Sequence, residues 1–321
     1  MRRLGAVLLT AVALATLGAP WLSPNPPDRR FDALLYAPPT SVHVFDNGLR
    51  TPFVRPLRIV SRLERRFDET PGAVVPLRWL SSQTLVTADP EGGAPLLLLG
   101  ADGVGRDLFS RLLHAARVTL ALAIVSTLGA TLMGTLLGGL AGYAGGRLDA
   151  LLMRWSELIL VLPAIYVVLA LRAALPLVVP PSVTFVSLVG IFTLFGWPIV
   201  ARGVRAIVVS EGERDYVQAA RAMGAGPGRI LIVHVLPAAI GHVASQATLL
   251  MPSFILAEAT LSYLGLGFPD TTPTWGTLLQ DAANVALLGD APWTLAPAAA
   301  IFIVVVGVNL LLQGRGRVPV N

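Results

Sequence analysis

Long uncharged stretches alternate with short arginine-bearing stretches along most of the chain. A helix needs about 20 predominantly apolar residues to cross a bilayer, and six stretches reach or approach that length. The pattern therefore predicts an all-α polytopic membrane protein. Its six transmembrane helices are expected at residues 4–22, 118–146, 151–175, 182–200, 242–265 and 291–314.

The first apolar stretch, residues 4–22, follows Arg2 and Arg3 and ends at a group of prolines. A cleaved signal peptide also begins with basic residues and an apolar run, so that alternative stays open. We favour a retained transmembrane anchor over residues 1–24, because Pro20 would directly follow the expected cleavage site. Both interpretations send the next residues to the outside.

Residues 25–112 are richer in charge and proline than the rest of the chain, and they contain short alternating runs at 42–45 and 57–60. Such alternation is typical of half-buried strands, and the sequence Asp46-Asn47-Gly48 suits a hairpin turn. We therefore predict a small mixed extracytoplasmic domain between helices 1 and 2. It is either a spacer or a surface for a solute-binding partner.

The remaining chain is predicted as a five-helix core, residues 113–314, and a cytoplasmic tail, residues 315–321. Gly134, Gly138 and Gly142 share one face of the second span, where a neighbouring helix of this or another chain could approach closely. In the fifth span Pro252 is expected to break the helix. Glu258 of the same span is either a pathway residue or a hydrogen-bond partner for another helix, since an acid in a membrane usually faces protein or water.

The composition excludes several kinds of binding and catalytic site. All 24 basic residues are arginine, so the chain lacks the lysine that a phosphate-binding loop needs. There is no cysteine for a disulfide or a thiolate metal site. The four histidines are not spaced as a metal site, and we expect no catalytic residue, metal or cofactor in this chain. The arginines flank apolar runs, which favours membrane topology over nucleic-acid binding.

The distribution of arginine also predicts orientation. The short segments after the second and fourth spans carry arginines, whereas the short segments after the third and fifth carry none. The positive-inside rule then places both termini in the cytoplasm. The segment 202–237 would lie on the same side.

Residues 214–237 look helical without looking like a membrane span. Residues 215–223 are mostly good helix formers, and Gly224 supplies the left-handed position that ends a helix. Pro227 suits the first turn of a second helix, which Pro237 is expected to interrupt. The local prediction is helix, tight turn, helix.

This segment resembles the cytoplasmic coupling loop of ATP-binding-cassette (ABC) importer permeases, which reads Glu-Ala-Ala, three residues, Gly, nine residues, Ile-x-Leu-Pro. The spacing is intact, but Gln218 stands in place of Glu and His234 in place of Ile. The histidine is similar to the dipeptide, oligopeptide and nickel branch. Residues 100–111 and 272–276 also resemble that branch, and Asp102, Arg106 and Asp107 of the first segment are expected to pair at the membrane surface.

The resemblance implies the type I ABC importer permease fold, in a bacterial inner-membrane subunit that forms half of a translocation pathway. It implies a homologous permease partner, two ABC ATPases that carry the ATP-Mg, an extracytoplasmic solute-binding protein and surrounding lipid. Di- or oligopeptides are the expected cargo, with nickel or another small solute as the alternative. A self-sufficient secondary transporter is the rival class, and it would need ion-coupling residues within the spans. The implied ATPase-coupling residues are Asp215, Tyr216, Gln218, Ala219, Ala220, Arg221, Gly224, Leu236 and Pro237.

Overall fold

The computed structural model describes residues 1–46, 48–61, 64–81, 84–88, 94–174 and 179–312. Asn47 of the predicted turn and the predicted tail, residues 315–321, lie outside these residues. The chain divides into two compact units. Among the described residues, unit 1 comprises Met1–Thr119 with Ala259–Leu311, and unit 2 comprises Leu120–Glu258 with Leu312.

Helices account for most of the described residues. The α-helices are α1 Arg2–Leu17, α2 Ala19–Leu22, α3 Leu108–Ala144, α4 Gly146–Val161, α5 Ala164–Ala174, α6 Pro181–Gly212, α7 Asp215–Ala222, α8 Pro227–Arg229, α9 Leu236–Tyr263, α10 Trp275–Leu278, α11 Val285–Asp290 and α12 Ala296–Leu312. A π-helical turn, Ile230–Val235, joins α8 to α9, and 3-10 helices occupy Asp281–Ala283 and Pro292–Leu295.

Within the described residues, four helical stretches are long and apolar enough to cross a bilayer: Leu108–Ala144, Pro181–Gly212, Pro227–Tyr263 and Pro292–Leu311. The number rises to five if the bent pair α4 and α5 is one span. Helix α1 has 16 residues, which at about 1.5 Å per residue is shorter than a bilayer core of about 30 Å. The predicted multi-pass helical architecture is confirmed, and the number six stays a prediction.

The third predicted span, residues 151–175, is not one straight helix. Its two parts, α4 and α5, are inclined by 82°. Pro163 explains the break, because it has no N–H to donate and forces the preceding residue out of helical geometry. Leu162 is accordingly extended, with ψ at 123°.

Two other prolines do not act as predicted. Pro252 lies inside α9, which continues to Tyr263, so the expected break is wrong. Pro237 is the second residue of α9 and does not end the helix. The π-helical turn before it widens the helix by one residue per turn, which gives the proline ring room that a regular α-helix denies it.

Helix α6 extends twelve residues beyond the predicted span, from 200 to Gly212. The predicted coupling loop, residues 202–237, therefore begins in α6 and ends in the stretch Pro227–Tyr263, leaving residues 213–226 between the two long helices. We call residues 213–226 the coupling segment. Arg205, in the extended part of α6, forms a two-pronged ion pair with Asp149 of α4.

The glycine face of α3 packs against α6 of the same chain. A Cβ on Gly134 would lie 2.6 Å from Cβ of Val200, and one on Gly142 would lie 2.8 Å from the Arg205 carbonyl oxygen. A Cβ on Gly138 would collide with the backbone of Ala201. The close helix approach is therefore with a helix of the same chain. The assignment of the three glycines to packing or to the pathway stays a prediction.

Short strands occupy the region predicted as a mixed domain: β1 Val42–Phe45, β2 Leu49–Val54, β3 Leu57–Ser61, β4 Arg66–Glu69, β5 Val75–Pro76, β6 Arg78–Ser81 and β7 Thr84–Thr87. They form one three-stranded sheet in the order β1-β2-β5 and two two-stranded sheets, β3-β4 and β6-β7. The predicted hairpin is confirmed by the antiparallel pairing of Phe45 with Leu49.

The glycine crossing predicts unequal effects of one added methyl group. Gly138→Ala should lower the free energy of unfolding by about 1–3 kcal/mol, because the new Cβ meets backbone that cannot move aside. Gly190→Ala is the matched control in α6, since a Cβ there meets nothing within 4 Å. Thermal unfolding of the purified chain in detergent measures both, and equal melting temperatures would contradict the packing role.

Candidate functional site: the coupling segment

The coupling segment and the residues that follow it fold as predicted, as a helix, a tight turn and the start of a second helix. Helix α7 spans Asp215–Ala222, one residue shorter than the predicted 215–223. Gly224 has φ at +85°, a left-handed conformation that glycine adopts without steric cost. Pro227 occupies the first turn of α8. The turn therefore rests on the two residues that the sequence singles out.

Helix α7 has a buried face and an exposed face. Val217 and Ala220 are buried, and α7 contacts the π-helical turn and the end of α6. Gln218, Ala219 and Arg221 are exposed. The two alanines of the Ala219-Ala220 pair therefore face different ways. Ala220 packs against its own chain, and only Ala219 is accessible to another protein.

Tyr216 fastens α7 to both long helices. Its hydroxyl donates to Oε2 of Glu211 in α6 at 2.7 Å and lies 3.3 Å from the carbonyl oxygen of His234 in the π-helical turn. The hydrogen bond to the Glu211 carboxylate raises the pKa of Tyr216. One side chain thus joins three elements.

Gln218 makes a contact that the glutamate usual at this position could not make. Its side-chain amide donates to the Gly212 carbonyl oxygen at 3.2 Å, one of the carbonyls that lack a partner at the end of a helix. A carboxylate has no hydrogen to donate. The substitution exchanges a surface charge for an added bond between α7 and α6.

Leu236 and Pro237 do not lie on the exposed face of α7. Leu236 is partly buried, and its Cδ2 would lie 3.1 Å from a Cβ on Gly139 of α3. Pro237 follows the π-helical turn at the start of α9. Glu258 is distant in sequence and fully buried, and it is not without a partner. Whether Glu258 is a pathway residue or a hydrogen-bond partner for another helix is not decided by these contacts, and both roles stay predictions.

Two groups hold α7 against α6, and the sequence did not predict either of them. They are the Glu211 carboxylate and the Gly212 carbonyl group. The predicted span ended at residue 200, and the residues after it were expected to form a loop. The signal that α6 continues was the absence of any proline between Pro198 and Pro227. With α6 continued to Gly212, only a short connection would have separated Glu211 from Tyr216.

A second cluster of charges joins residues 100–111 to the loop that follows α9, within unit 1. Arg106 holds Asp270 with both Nη atoms, at 2.8 and 2.9 Å, and its Nε donates to Asp102 at 2.7 Å. Arg111, which is fully buried, donates to the Asp270 carbonyl oxygen at 3.2 Å. The predicted pairing of Asp102 with Arg106 is confirmed, and Asp270 is the partner that the sequence did not reveal.

Asp107 has another role than the expected ion pair. Its carboxylate accepts from the backbone N–H of Phe109 at 3.1 Å, which caps the first turn of α3. Burial raises the pKa of Asp107, while hydrogen bonds from Ser110 and Asn25 oppose that rise. This buried cap explains why α3 begins at Leu108, ten residues before the predicted span.

Several apolar helices of membrane-spanning length, with a short helix fixed to the ends of two of them, define the class of protein: a polytopic membrane protein. Residues 134–314 match the family described as binding-protein-dependent transport system inner membrane component, and the chain belongs to this family.

Relatives cover most of the chain. The di/tripeptide transport system permease protein DppC of Pseudomonas aeruginosa is 32% identical over 97% of this chain and 84% of its own length. The dipeptide transport system permease protein DppC of Alkalihalophilus pseudofirmus is 36% identical over 67% of this chain and 68% of its own. The oligopeptide transport system permease protein OppC of Lactococcus lactis subsp. cremoris is 34% identical over 65% and 69%.

Tyr216→Phe tests the fastening of α7, because it removes the hydroxyl and keeps the ring. We expect faster amide hydrogen exchange throughout Asp215–Ala222, with no change in the interior of α3. Tyr263→Phe, at the end of α9, is the control substitution. Unchanged exchange in α7 would show that the two hydrogen bonds do not hold it.

The Asp270 cluster predicts a pH dependence. Partial burial alone would raise the pKa of Asp270, but the hydrogen bonds and charge of Arg106, with the charge of Arg111, outweigh it and lower the pKa. A carboxylate with a lowered pKa stabilises the fold above its unfolded pKa of about 3.9 and stops doing so as pH falls through the folded value. The difference in melting temperature between the wild type and Asp270→Asn should thus stay constant from pH 7 to about 5 and shrink below about 4. A difference that already shrinks near neutral pH would contradict this assignment.

Proposed function

We propose that the chain is a transmembrane permease subunit of an ATP-driven importer of di- or oligopeptides. The relatives named above are peptide, dipeptide or oligopeptide permeases, and the family is defined by dependence on a binding protein. The subunit is non-catalytic. It forms half of the translocation pathway together with a homologous permease, while two ABC ATPases bind and hydrolyse ATP-Mg.

The observation that carries this proposal is the mounting of α7. A force applied to its exposed face reaches α6 through the Gln218–Gly212 hydrogen bond and the Tyr216–Glu211 hydrogen bond. It reaches the stretch Pro227–Tyr263 through the Tyr216–His234 contact. Such a helix transmits movement of a docked ATPase into two spans at once, as alternating access requires.

In the proposed topology the chain has six spans, with both termini in the cytoplasm of a bacterium. The packing of α1 supports its assignment as the first of these spans. Gly5 of α1 approaches α12 so closely that a Cβ on it would lie 2.7 Å from the Gly307 carbonyl oxygen. Two helices that pack at glycines are typical of membrane segments. In this orientation α7 faces the ATPases, and residues 25–112 face the solute-binding protein.

Ala219→Glu tests docking. A long charged side chain on the exposed face should keep the ATPase away, so peptide uptake by the reconstituted complex should fall at least tenfold while the chain still enters the membrane. Ala219→Ser adds only one oxygen atom at the same position and should leave uptake near the wild-type level. Normal uptake by Ala219→Glu would contradict the assigned surface.

Two further substitutions separate docking from the internal structure of the coupling segment. Ala220→Glu buries a charge beneath α7, and Gly224→Pro imposes a φ near −65° where the turn has +85°. Both should abolish uptake by distorting the segment, with faster amide exchange in α7. Ala219→Glu should lower uptake at least tenfold without that change in exchange.

A further inference from the structure

A cavity of about 430 Å³ lies in unit 1, beside the β3-β4 hairpin. Its volume falls in the range of about 300–1,000 Å³ that small-molecule sites occupy. The lining residues that matter here are Asp32, Leu35, Tyr36, Ile59, Arg65 and Phe67. None of them belongs to the coupling segment.

One wall of the cavity is an arginine stacked on a tyrosine. The guanidinium carbon of Arg65 lies 5.4 Å from the ring centroid of Tyr36, a cation–π distance. Both residues have left-handed backbone conformations, with φ at 48° and 53°. This conformation is uncommon for side-chain-bearing residues and tends to occur at ligand sites.

Contacts outside the cavity hold this strained pair in place. The Tyr36 N–H donates to the Asp102 carbonyl oxygen at 3.1 Å, and its hydroxyl lies 3.5 Å from Oδ1 of Asp281. Arg65 pairs with Asp290 at 3.3 Å. The wall is therefore formed before any ligand arrives, which reduces the entropic cost of binding.

The charges and apolar groups of the cavity specify one kind of ligand. The positive charge of Arg65 is already committed to Asp290 and the Tyr36 ring. Asp32 lines the cavity and is exposed, and it has no ion-pair partner within the part of the chain that the structure describes. Leu35, Ile59 and Phe67 supply apolar surface beside it. A negative group next to apolar walls suits an organic cation.

We infer that this cavity binds a small molecule with a primary ammonium group attached to an apolar body. Asp32 pairs with the ammonium group, and the apolar side chains cover the body. The N-terminal residue of a short peptide and a free aliphatic amine share this chemistry. The inference goes beyond the proposed import function, since binding here needs no ATPase and no coupling segment.

The test uses the full chain alone in lipid nanodiscs, with ligand-observed NMR titration of leucinamide. We expect saturable binding that N-acetylleucinamide, which has the same body without the charge, does not show. Asp32→Asn should weaken leucinamide binding about fivefold, the effect of an exposed ion pair. Asp68→Asn, on β4 next to Phe67, is the matched control and should change nothing.

Binding that does not saturate, equal binding of the acetylated compound, or equal losses in the two variants would overturn the inference. If leucinamide binds as expected, a comparison of leucyl-leucine with isoamylamine identifies the class of ligand. Tighter binding of leucyl-leucine assigns the cavity to peptide N-termini, and equal binding assigns it to amines generally. Because the assay contains no ATP and no partner, its failure leaves the import proposal intact, and the uptake experiments with Ala219→Glu judge that proposal separately.

Discussion

The closeness of α3 and α6 is the constraint on which the rest of unit 2 depends. At Gly138 even a methyl group would collide with the backbone of Ala201, so the two helices approach this closely only because residue 138 has no side chain. Helices in a bilayer gain little from burying apolar surface against each other, which makes such tight packing their main source of association. The fixed position of α6 sets the position of Glu211 and Gly212, and these two hold the coupling helix.

Much of the helical architecture could be predicted from the sequence, because uninterrupted apolar runs have few alternatives to a membrane helix. The effect of each proline could not. Pro163 breaks a helix, Pro252 lies inside one, and Pro237 follows a π-helical turn. All three prolines lack the N–H that a helix interior uses, so the proline itself does not distinguish these outcomes and the surrounding structure must.

In the candidate site too, the sequence predicted some features and missed others. Turn chemistry made Gly224 and Pro227 predictable, since few other residues suit those positions. The inward direction of Ala220 and the anchoring role of Tyr216 depend on where α6 ends, which the apolar pattern alone did not reveal. From the sequence, Gln218 was only a departure from the glutamate of the family motif. In the fold it is a donor to a helix end, so it strengthens a contact within the chain.

The 82° bend between α4 and α5 has a consequence for solvent. The first N–H groups of any helix have no carbonyl behind them, and α5 begins at the bend with a new set. Hydrocarbon offers no acceptor for them. If the two halves share one span, the bend must therefore face protein or a hydrated lumen, and lipid tails are excluded from that side of the helix pair.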